Sequence, residues 1–102
     1  MRMRDPFREK QKELGVIQVL LDRLNTQRMP RALELKERVD RGERLTSSDT
    51  IFLKRVLGES GEARRLAAKH PEYQQVLDKM TDLYTEIMRK GAENEQKEAD
   101  SG

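Results

Sequence analysis

Between Tyr73 and Met88 the residues Tyr73, Val76, Leu77, Met80, Leu83, Tyr84, Ile87 and Met88 return at steps of three and four. That period repeats over about four turns, which fits one face of an α-helix and excludes a strand alternating every second residue. A stripe this wide needs other helices to cover it, so the rest of the chain is read for partners. Pro71 suits the first helical position, Glu72 suits the positive end of the helix dipole, and Gly91 marks the expected C-terminus.

Upstream, Asp5-Pro6 opens a first helix in which Leu14, Ile17, Leu21 and Leu24 recur, with Val16 and Leu20 widening the stripe. It should end near Asn25–Gln27, ahead of Met29-Pro30. A second, thinner helix begins at Pro30, carries Leu33 or Leu35 with Val39, and closes at Gly42 as a left-handed cap. The sharpest local signal is Thr46-Ser47-Ser48-Asp49, a Thr-x-x-Asp capping box before Ile51-Phe52-Leu53, with Val56 and Leu57 completing the face. Gly58 should stop that helix. Gly58-Glu59-Ser60-Gly61 then reads as a loop, and Ser60 caps a short piece over 62–69 that turns Leu66 and Ala67 inward. Short connections favour neighbours of opposite direction. The expected architecture is an all-α, small antiparallel helical bundle of about four helices, one short or broken.

Composition limits the chemistry. At 102 residues there is room for a single domain. With no Cys, disulfides, thiol nucleophiles and thiolate metal sites are excluded, and one His leaves a single imidazole. The longest apolar run, Val19-Leu20-Leu21, is far below the roughly 18–20 residues of a membrane span. The first residues run into a charged stretch and not an apolar leader, so a cytoplasmic location is expected. Charge is uneven: residues 1–45 carry 12 basic and 8 acidic groups, while residues 91–102 carry 1 and 4. The expected organisation is a flexible basic segment over 1–4, one helical domain over 5–90, and a disordered acidic tail over 91–102. A basic front and an acidic tail attract each other weakly, and only at low salt.

Nothing resembles catalytic machinery. His70 sits between a helix end and Pro71, and Ser47, Ser48 and Ser60 look like capping residues with local hydroxyl roles. There is no Glu-x-x-His pair, calcium loop or phosphate loop, so no cofactor or metal is implied. Two functional classes remain. The first is a non-enzymatic helical module that docks another protein or a second copy of itself, with Val16, Val19, Tyr73 and Tyr84 as candidate contacts. The stripe on the last helix exceeds what a thin second helix covers. The second is a weak nucleic-acid binder using Arg28, Arg31, Arg64 and Arg65. It requires those groups to gather on one face, and the interleaved acids and a net charge of only +2 weigh against it.

Overall fold

The computed structural model describes the backbone of residues 6–101, with side chains from Gln11 to Asp100 and that of Arg8. The basic segment over 1–4 lies outside the described residues. Every regular element among those described is helical. None of these helices is long and apolar enough to cross a membrane.

The described residues form three helical arms where about four helices were expected. In the first arm, α1 (Pro6–Arg23) passes through a π turn (Leu24–Arg28) directly into α2 (Met29–Asp40). Pro30 was expected to separate two helices. It lacks the N–H that would bond one turn back, and its ring crowds the carbonyl there. The arm accommodates this without breaking. It widens by one residue, so that the Met29 N–H donates to the Leu24 carbonyl. The Thr26 hydroxyl meanwhile donates to Asp22 O at 2.7 Å.

The second arm is α3 (Ser47–Leu66) with a 3₁₀ turn (Ala67–Lys69). It starts at the expected capping box: the Asp49 N–H donates to Thr46 Oγ1 at 3.1 Å, and the Thr46 N–H donates to Asp49 Oδ2 at 2.9 Å. Gly58 does not stop it, and the expected loop over 58–61 is helical. Each exposed helical Gly costs about 1 kcal/mol against Ala. The opposite face compensates, because Phe52, Val56, Ser60, Ala63 and Ala67 form an unbroken buried line. Ser60 is therefore an interior residue and not a cap. His70 then leaves helical geometry ahead of Pro71, as the residue before a proline tends to do.

The third arm, α4 (Pro71–Ser101), runs on through Gly91, so the expected tail is helical to Ser101. Gly91 is buried, and a Cβ there would lie 2.5 Å from Leu45 Cδ1. Its role is to admit a neighbour, not to end a helix. One turn on, the Asn94 amide donates to Val39 O at 2.9 Å and Glu43 O at 2.8 Å, at the end of α2. That end is closed as expected by Gly42 at φ 93°. Gly42 N–H bonds Val39 O and Glu43 N–H bonds Arg38 O, the paired bonds of a Schellman motif.

Cross-arm contacts give the course of the chain. Arg31 meets Asp49, Arg28 meets Glu59 and Glu13 meets His70, so the second arm returns along the first. Lys90 reaches Asp40 at 2.6 Å, which sets the third arm beside the first in the same direction. The core between them holds Ile17, Leu24, Leu35, Leu53, Val56, Leu77, Tyr84 and Ile87. The molecule measures 69 × 22 × 21 Å, a rod whose ends extend past the shared core.

Two buried hydroxyls matter to stability. Thr81 Oγ1 gives its proton to Leu77 O at 2.9 Å, so Ser60 is the donor in the 2.6 Å bond joining α3 to α4. Tyr84 is fully buried, and its hydroxyl has no hydrogen-bond partner among the described residues. Burial, aided by the nearby Glu59 charge, raises its pKa. An unpaired buried hydroxyl is costly, so Tyr84→Phe should stabilise the fold by about 1 kcal/mol. Urea unfolding followed by circular dichroism checks this; a loss of stability would reveal a bonding role for the hydroxyl.

Candidate docking surfaces

Two concavities flank the first arm. The polar one lies where the π turn and α2 face α3, encloses about 340 Å³, and is lined by Arg28, Arg31, Ser48, Ile51, Phe52 and Arg55, among others. Arg28 is held by Glu59, with Nη2 to Oε1 at 3.0 Å and Nε to Oε2 at 3.4 Å. Arg31 lies over the Phe52 ring, 4.4 Å from its centroid, and reaches Ser48 Oγ at 3.3 Å and Asp49 Oδ1 at 3.5 Å. Arg38 approaches the other Asp49 oxygen at 3.2 Å. Burial pushes the Asp49 carboxyl up, but the Thr46 N–H and hydroxyl and the two guanidinium groups hold it below its ordinary value on balance. Arg55 is exposed and forms no ion pair among the described residues.

The second concavity is an apolar groove of about 360 Å³ between α1 and α4, lined by Gln18, Leu21, Asp22, Asn25, Val76 and Met80. It exists because the lower part of the first arm leans on α3, while α4 approaches that arm closely only higher up, at Val39 and Asp40. Leu21 and Met80 are half-buried against the core, and Val76 stands 46% exposed at the rim.

Of the expected protein contacts, Val16 and Val19 are exposed, at 47% and 59%, on the face of α1 turned away from Ile17 and Leu24. Tyr73 is half-buried against the core. Tyr84 is fully buried and cannot meet a partner; its place in the α4 stripe put it in the centre of the apolar face, not on its edge. Of the arginines, the fold brings Arg28 and Arg31 into one cleft. Arg64 and Arg65 lie about 13 Å or more along α3 from Arg55, and Arg64 is engaged with Asp78 at 2.8 Å. Sequence reading missed Arg55 and the α1 side of the groove. Their helical spacing was visible, at Ser48–Ile51–Arg55 and Gln18–Asp22–Asn25, but only the packing shows what they face.

The chain matches no protein-family model, no curated protein and no solved structure.

No cluster of three or more potential metal ligands occurs among the described residues. His70 is buried, with Nε2 3.2 Å from Glu13 Oε2, a contact that ties the base of α4 to α1. The Ser60 hydroxyl is committed to Thr81, as described above.

Proposed function

We propose that the chain is a non-enzymatic helical interaction module that seats an apolar partner helix in the groove between α1 and α4. The observation that carries this reading is the separation of those helices over Leu21 and Met80, with exposed Val76 at the rim. A helix laid there would bury apolar surface that the three arms leave open. A photo-crosslinking residue at position 76 should capture one discrete partner, and Met80→Glu should abolish the adduct. The same residue at exposed position 65 should capture none. An adduct of twice the chain mass would identify the partner as a second copy. Equal labelling at both positions would overturn the reading.

Nucleic-acid binding has less support. Carboxylates engage Arg28, Arg31 and Arg64, and the four candidate arginines do not share one surface.

A further inference from the structure

The acidic end of α4 and the arginine cleft belong to the same chain but cannot meet within it. Arg28 lies twelve residues below Asp40, about 18 Å along the helix, and Asp100 lies six residues above Asn94, about 9 Å further in the same direction. Because α4 is continuous to Ser101, it carries its carboxylates away from the cleft. Any attraction between the two is therefore between molecules.

We propose that the exposed end of α4 in one copy docks into the cleft formed by Arg28, Arg31 and Arg55 in a second copy, reciprocally, as a two-fold dimer. The charges on the two surfaces correspond. Of the cleft's arginines, Arg28 is paired with Glu59 and Arg31 with Asp49, while Arg55 has no ion pair among the described residues. One positive charge, that of Arg55, is thus left in excess. On the α4 end Glu93 pairs with Arg89 and Glu98 with Arg44, which leaves Glu95, Asp100 and the intervening Lys97 without a described ion pair, a surplus of one negative charge.

The shapes correspond as well. Helical spacing puts Glu95 and Asp100 on either side of a strip bearing Ala92, Gln96 and Ala99. The methyl side chains of Ala92 and Ala99 allow close approach to Ile51, which is 61% exposed in the cleft between Ser48 and Arg55. The Phe52 ring and Asp49 hold Arg31 in place, so little side-chain freedom is lost on contact. Two rods side by side in opposite directions present each acidic end to the other's cleft, closing the assembly at two copies.

Analytical ultracentrifugation of the full chain tests this at ionic strengths of about 0.01 M and about 1 M, where screening lengths are roughly 30 Å and 3 Å. Dimers should form at low salt, with a dissociation constant at least about tenfold weaker at high salt. Arg55→Glu, and separately the pair Glu95→Lys with Asp100→Lys, should each give monomers at low salt with unchanged helical circular dichroism. All three sites are exposed, so these variants should fold. Mixing the two variants should restore a one-to-one complex, because one native cleft then meets one native acidic end. A chain that stays monomeric at low salt overturns the proposal. So does a dimer indifferent to both reversals.

Discussion

Asp49→Ala should destabilise the protein by about 2–3 kcal/mol, read as a shift in the urea midpoint. Asp49 carries out two tasks at once. It completes the capping box of α3, whose loss alone costs about 1 kcal/mol. It also accepts charged hydrogen-bond donors from Arg38 and Arg31 while only 5% exposed. Both arginines retain contact with water, so the second loss stays well below that of a fully buried pair. Asp49→Asn keeps an oxygen for the Thr46 N–H and should cost roughly half as much. Acid separates the two contributions. The folded Asp49 carboxyl titrates below its ordinary value of 3.8, so its stabilisation is complete above that pH and is lost as pH falls through the folded value. Asp40 behaves the same way: hydrogen bonds from Lys36 and then Lys90 lower its pKa to about 2. Wild-type protein should therefore weaken progressively below about pH 4, and Asp49→Asn should show a shallower decline. An unchanged acid limb would mean that Asp49 is not paired as described.

Gly91→Ala should change sign with its neighbour. In the native chain the added methyl meets Leu45 Cδ1 at 2.5 Å and Cγ at 2.6 Å. Forcing Leu45 aside costs about 1–3 kcal/mol, against a helix-propensity gain near 1 kcal/mol. The net effect should be a loss of about 1 kcal/mol. In a Leu45→Ala background the obstruction is gone and the same change should stabilise by about 1 kcal/mol. The resulting coupling of about 2 kcal/mol is measurable by a double-mutant cycle in urea. Additive effects would show that Gly91 does not admit Leu45.

These two residues also show what the sequence could and could not convey. Asp49 was legible because a capping box is local: Thr46 and Asp49 satisfy each other's backbone within one turn. The all-helical class was legible for a similar reason, since the 3.6-residue period of Tyr73–Met88 needs no knowledge of what covers it. Gly91, Gly58 and Pro30 were misread as boundaries. Each carries a weak local preference that burial elsewhere on the same turn outweighed. Ser60 looked like a cap until its hydroxyl was seen to meet Thr81, 21 positions away. The docking surfaces were legible only in part. Arg28 and Arg31 lie one turn apart, but Arg55 joins them through packing, and the α1–α4 groove is a property of two helices that stand apart over Leu21 and Met80.

The π turn gives the first arm an unexpected arithmetic. Among its buried positions, Ile17, Leu24, Ala32 and Val39 are separated by seven, eight and seven residues, with Leu35 buried between the last two. A regular helix keeps one face inward with sevens, and the extra residue falls between Leu24 and Ala32, the interval that holds the π turn. The turn thus acts as a phase corrector that rotates α2 back so that Ala32 and Val39 continue the line of Ile17 and Leu24. Without it, the inward-facing position one turn below Leu35 would be Arg31 instead of Ala32, and the guanidinium that now lines the cleft would point into the core.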